Sequence, residues 1–190
     1  MIIKVIAQMI GIVAMVFNIL SYQQKKHRTA IAFQFIGSAL FGINYLLINA
    51  YMGALLNLIG VIRAIVFMYK DKLKADHILW LIGFIVAYLG CYVLTFTVIG
   101  TPFAGWNPIL EILPVIGMVA TTVSYRFKEA KAIRYFGFIS SPAWLTYNIA
   151  CGSIGAICCE VLALISIISG ILRLDRKRKT NTASTDEGKL

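Results

Sequence analysis

Residues 3 to 28 read IKVIAQMIGIVAMVFNILSYQQKKHR, an apolar run over 3–21 followed directly by Lys25, Lys26 and Arg28. A hydrocarbon layer of about 30 Å is crossed by about 20 helical residues, so the run predicts a membrane-spanning helix. The cations behind it predict that this end stays in the cytoplasm. Only Lys4 precedes the run, and no small-x-small site leads into a polar segment, so the stretch reads as a retained first span rather than a signal peptide.

Working outward, apolar runs recur at 30–49, 53–69, 78–99, 107–124, 135–150 and 154–172, giving seven. Each must be helical, because lipid offers no hydrogen-bond partner to an exposed backbone and runs this long in so short a chain cannot close a barrel. The run at 135–150 carries Ser140, Ser141 and Pro142 and is the least apolar in character, while Asn107-Pro108 suits a helix start. The composition agrees: 190 residues are 59% hydrophobic and 14% charged, with mean hydropathy +0.82. Such a chain is too apolar for an ordinary soluble domain.

The net charge of +10 is informative through its placement. Lys25, Lys26 and Arg28 follow the first run, Lys70, Lys72 and Lys74 the third, and Arg126, Lys128, Lys131 and Arg134 the fifth. Arg173, Arg176, Lys177, Arg178, Lys179 and Lys189 follow the seventh, whereas the intervening loops at 50–52, 100–106 and 151–153 hold no Lys or Arg. Sixteen of eighteen basic residues thus lie on one side, with Lys4 opposite and Arg63 inside a span, which predicts the N-terminus outside and the C-terminus cytoplasmic. Because charge tracks hydropathy so regularly, a nucleic-acid-binding face is set aside. The basic C-terminal cluster is expected to touch anionic lipid, ahead of a polar, disordered tail from Thr180 to Leu190.

Enzyme signatures are missing. His27 and His77 stand apart in predicted inner loops, and neither a Ser-His-Asp nor a Cys-His grouping, an H-E-x-x-H motif nor a phosphate-cradling glycine loop occurs. Cys91, Cys151, Cys158 and Cys159 show no C-x-x-C spacing and read as small apolar packing residues. Neither a metal ligand set nor a cofactor is expected.

An offset of 103 aligns residues 8–70 with 111–173 without a gap. Eleven positions are identical, among them Ser21/Ser124, Tyr22/Tyr125, Lys25/Lys128, Phe33/Phe136 and Ser38/Ser141. Polar positions also coincide: Gln8 with Glu111, Asn18 with Thr121, Asn57 with Glu160, Lys70 with Arg173, and Phe41 meets Trp144. Two three-helix units pointing the same way need one reversing helix between them. The expected architecture is therefore three, one, three: residues 1–70, a connector with its loops at 71–106, residues 107–173, and the tail 174–190. Parallel units of this kind enclose a central cleft.

The plan resembles the SWEET and PQ-loop superfamily, and the whole chain, over residues 3–173, resembles the bacterial inner membrane protein family YgjV. The resemblance rests on Ser21-Tyr22-Gln23-Gln24-Lys25-Lys26, Phe41-Gly42-Ile43-Asn44-Tyr45 and Asn57 in the first unit. In the second it rests on Ser141-Pro142-Ala143-Trp144-Leu145-Thr146-Tyr147 and Glu160. It implies a multi-pass protein of the bacterial inner membrane, and in SWEET-like transporters an aromatic on the second helix and an asparagine on the third contact substrate, which points to Phe41, Trp144, Asn57 and Glu160. The literal Pro-Gln dipeptide is absent, and Glu160 stands where an amide is expected, so a neutral sugar is not implied.

The residues themselves point the same way. A charge at the centre of a spanning helix costs about 3 kcal/mol even on insertion scales, so Arg63, Glu111 and Glu160 must face protein or water and are candidates for coupling or charge pairing. Glu160 lies about 9 Å inside its helix end at 1.5 Å per residue. Arg63 could snorkel to the interface, and Glu111 could be hydrated near its helix N-terminus. Asn57 offers both donor and acceptor to a solute or to a neighbouring helix. Phe41, Asn44 and Tyr45 share one helical face, as do Trp144, Tyr147 and Asn148, either as a stacking surface for a ligand or as packing. The substrate-binding set expected is Asn57, Glu160, Phe41, Trp144, Asn44 and Asn148. The function expected is transport or facilitation of a small polar metabolite. A receptor or scaffold of the same fold is the second reading, a membrane-embedded enzyme a distant third, and oligomerisation is left open.

Overall fold

The computed structural model describes residues 2–24, 27–127 and 130–171. Lys25, Lys26 and Lys128 lie outside the described residues, as do the basic cluster from Arg173 onward, with its expected lipid contact, and the polar tail. Among the described residues there is no strand. The helices are α1 (Ile2–Gln23), α2 (His27–Leu47), α3 (Tyr51–Met68), α4 (Lys70–Leu73), α5 (Ile78–Thr97), α6 (Asn107–Arg126), α7 (Ala130–Cys151) and α8 (Ile154–Gly170).

Each apolar run of the sequence overlaps one long helix, with ends that differ by up to five residues. The single turn α4, in the basic loop after α3, has no apolar signal to announce it. Local chemistry sets several ends. Pro108 occupies the first turn of α6, where its missing N–H costs nothing. His77 caps α5, its Nδ1 accepting from the Leu79 N–H at 3.3 Å. Lys74 ends α4 in the left-handed region at φ 48°.

Among the described residues, five helices are long and apolar enough to cross a membrane: α1, α2, α3, α5 and α6. The other two of the seven expected spans differ for separate reasons. Helix α8 is strongly apolar but has only 17 residues. Helix α7 has 22, yet its polar residues lower its hydropathy, among them Ser141 and Asn148, which are buried. Their polarity serves contacts inside the bundle, so a hydropathy window penalises them although they do not face lipid. Outward positions such as Ile12, Ile62, Val86, Ile116 and Ile165 are exposed, large and apolar, the pattern of a bundle whose surroundings are hydrocarbon.

Helices α1, α2 and α3 pack in series, as do α6, α7 and α8. The two trios meet where α1 lies on α8 and where α3 approaches α6, and α5 wedges between α3 and α6. The offset of 103 recurs in backbone detail. Asn49 (φ 61°) and Gly152 (φ 72°) hold the same left-handed position in the α2–α3 and α7–α8 turns. The Ala50 N–H bonds Tyr45 O at 2.9 Å, and its counterpart Ser153 N–H bonds Asn148 O at 3.1 Å. Ser21 and Ser124 both turn their hydroxyls back onto the carbonyl three residues earlier, each at 2.7 Å. Sequence identity inside these two turns is nil, so the likeness is one of backbone geometry.

At the opposite end, Lys70 joins the trios. Its Nζ pairs with Asp76 at 2.7 Å and donates to the Arg126 carbonyl at 3.0 Å, while Arg126 Nη2 donates to Asp76 O at 2.9 Å. A cation at the last carbonyls of α6 satisfies groups that have no partner within the helix.

Candidate functional site

Between the trios lies a cavity of about 100 Å³, bordered by α1, α2, α3, α6, α7 and α8. Several water molecules would fit, since one needs only about 10–15 Å³ of such space. The cavity runs along the bundle from the Arg126 end of α6 toward the turn end. Its lining runs from Asn18, Gln34 and Ser124 up to Tyr45 and Ala156 and stops short of the α2–α3 and α7–α8 turns.

A buried hydrogen-bonded layer closes the turn end. Tyr45 Oη donates to Asn148 Oδ1 at 2.6 Å, joining two residues that the repeat makes equivalent. The Gly53 N–H, an orphan donor in the first turn of α3, is met by Tyr147 Oη from the other trio at 2.9 Å. Asn44 Nδ2 donates to Ala7 O at 2.7 Å, and Ser153 Oγ donates to Asn44 Oδ1 at 2.7 Å. Gln8 bridges outside this layer, donating to Gly152 O and accepting from the Ile154 N–H, both at 3.0 Å. Asn44, Tyr45, Tyr147, Asn148 and Ser153 are each at most 3% exposed, so water is excluded here.

Beneath this layer, aromatic rings form one wall. Phe41 stacks on Tyr45 and Tyr45 on Trp144, both with centroids 6.1 Å apart, and Tyr147 meets Trp144 edge-on at 6.0 Å. Two glycines make the room. A Cβ at Gly53 would sit 2.9 Å from Tyr45 Cγ, and one at Gly117 would sit 2.7 Å from Trp144 Nε1.

The polar wall is unequal on its two sides. On α8, Glu160 lines the cavity, as does Ser141 of α7. At the equivalent place on α3, Asn57 lines it too, while its Nδ2 donates to Gly53 O at 2.9 Å. Lower on α3, Arg63 is 5% exposed. Its Nη1 donates to Thr122 Oγ1 at 3.1 Å and to Met118 O at 3.2 Å, and its Cζ lies 4.9 Å above the Tyr125 ring. Tyr88 of α5 bonds Thr122 Oγ1 at 2.8 Å and completes this cluster.

Of the residues singled out from sequence, Phe41, Asn57, Arg63, Trp144 and Glu160 are brought together on the cavity. Asn44 and Asn148 are not: their amides are used in the closing layer. Glu111 also lies off the lining, half-buried, with Oε2 lacking a protein partner. Arg63 does not snorkel; neutral partners hold it inside. Gln34, Tyr88, Thr122 and Tyr125 went unremarked as site residues. Only Tyr125, through its identity with Tyr22, carried any signal in the sequence. Among the described residues no group of His, Cys, Asp and Glu has the makings of a metal site, and all four cysteines are free.

Comparison with known proteins agrees with this picture at the level of family. No solved structure matches the chain. The inner membrane protein YgjV of Escherichia coli (strain K12) is 22% identical over 174 residues, covering 92% of this chain and 87% of that protein. The model of the Imp-YgjV family, described as bacterial inner membrane protein, matches residues 5–178. With nearly the whole chain matched, and five helices among the described residues long and apolar enough to cross a bilayer, the protein belongs to the Imp-YgjV family and resides in the bacterial inner membrane.

Proposed function

We propose that this protein is a transporter or facilitator for a small polar solute, which it holds in the cavity between two parallel three-helix units, residues 1–70 and 107–173, joined by the connector α5 in a SWEET-like plan. The basic ends of α3 and α6 then face the cytoplasm and the two turns face outward, following the charge bias. The observation that carries the reading is the combination of a cavity lined by polar side chains from both units with a dry layer of contacts between the units at the turn end. That layer consists of contacts between the two units, Tyr45 to Asn148 and Tyr147 to Gly53, so a relative tilt of the units would break it and open the cavity to the other side. Asn57 and Glu160 are the polar anchors, and Phe41 and Trp144 the apolar wall.

Flux decides the matter. Proteoliposomes loaded with an unlabelled metabolite extract should accumulate labelled small polar solutes by counterflow, and Asn57→Ala should reduce that uptake at least tenfold. Saturable binding without counterflow would favour a receptor of the same fold. Absence of both overturns the cavity as a solute site.

A further inference from the structure

Arg63 is the only cation lining the cavity among the described residues, and no carboxylate neutralises it. The described acids are Asp71, Asp76, Glu111 and Glu160, and the one ion pair among described residues is Lys70 with Asp76. Neutral groups hold the guanidinium instead: Thr122, Tyr88, the Met118 carbonyl and sulfur, and the face of Tyr125. These hydrogen bonds all leave from Nη1. Nε is buried with no partner at all. A buried guanidinium with no carboxylate partner and an unbonded Nε–H is suited to an anionic acceptor, because guanidinium N–H groups pair with the oxygens of a carboxylate or phosphate.

A second orphan lies on the same lining. Gln34 Oε1 is buried without a partner. An amide that turns about its last torsion presents N–H groups as readily as oxygen, so Gln34 can donate to a ligand oxygen that Arg63 attracts. The repeat shows that the cation is particular to one side: the residue 103 positions after Arg63 is Ser166, so symmetry does not require a charge there. Glu160 stands on the other trio with Ser141 and is not paired with Arg63.

We infer that the cavity takes a small anion, a carboxylate or phosphate group bound through Arg63 with Gln34 as a further donor. The inference rests on the cavity being a solute site, and it names the chemical class of that solute.

The full chain, purified in detergent at fixed ionic strength, is titrated calorimetrically with acetate, lactate and inorganic phosphate, with glycerol as the neutral reference. At least one anion binds saturably, glycerol does not compete, and Arg63→Gln weakens the binding at least tenfold. Arg63→Lys keeps the charge without the planar fork and falls between the two. Unchanged affinity in Arg63→Gln, competition by glycerol, or no saturable binding of any of the three anions overturns the inference. Should Arg63→Gln not purify folded, wild type against Arg63→Lys carries the test, and equal affinities overturn it. Anion binding without counterflow leaves the anion site standing and removes transport. Counterflow of a neutral solute that no anion inhibits does the reverse.

Discussion

The two trios touch along two crossings that the repeat makes equivalent, α1 on α8 and α3 near α6, and the crossings are built from opposite materials. At the first, Gly11 and Gly155 bring the helices together backbone to backbone; a Cβ on Gly155 would lie 2.6 Å from the Gly11 carbonyl oxygen. Small residues allow this approach, as they do in membrane bundles generally. At the second, the equivalent positions are Pro114 and Met52, too large for such contact, and α5 inserts between the helices. The gap is filled by polar groups: Tyr88 from α5, Thr122 from α6 and Arg63 from α3. One interface is thus fixed by shape and the other by hydrogen bonds around a charge. The crossing at which α5 inserts is the one that carries a cation lining the cavity.

This contrast is breakable in order of size. Gly155→Val should be the most damaging change, because its side chain meets rigid backbone rather than a movable side chain; a loss of about 3 kcal/mol is expected, at the upper end of overpacking costs, read from unfolding in mixed micelles. An equally destabilising Met52→Gly would show instead that both crossings depend on shape. Thr122→Val keeps the volume but strips Arg63 and Tyr88 of a shared partner, which should cost about 2 kcal/mol for a hydrogen bond to a charged group. No loss in that variant would mean that the polar cluster contributes nothing to holding α3 near α6. Tyr45→Phe removes one inter-unit bond from the closing layer and should cost only about 0.6 kcal/mol, typical of polar contacts within a membrane bundle. Its sharper readout is access: a cysteine at Ser141 in a cysteine-free background should react faster with a membrane-impermeant maleimide from the outer side once Tyr45 is Phe. Unchanged labelling would show that the Tyr45 bond does not control entry.

Much of this was legible in the residues. The helix positions followed from apolar runs, and the offset of 103 located the pairs Asn57 with Glu160 and Phe41 with Trp144 that border the cavity. The spacing of Asn44 and Tyr45, and of Tyr147 and Asn148, marked two polar-aromatic faces, yet it could not say that these faces would meet each other. Periodicity tells which residues share a side of one helix; it carries no information on which other helix lies opposite. Tyr45 and Asn148 satisfy one another, and an amide so engaged is withdrawn from any ligand. The same blindness applied to Arg63. From the chain alone its long stem suggested reaching for the interface, whereas Thr122, Tyr88 and Tyr125, 25 to 62 positions away along the chain, keep its guanidinium within the bundle.

Sequence by itself determined that the chain enters the membrane and which stretches form its long helices, because hydrocarbon allows no other fate for an apolar run and each helix satisfies its own backbone. Tertiary structure alone decided which polar side chains are used up between helices and which are left facing the cavity. That outcome depends on distances between groups far apart in the chain, down to the single N–H of Arg63 that the bundle leaves without an acceptor.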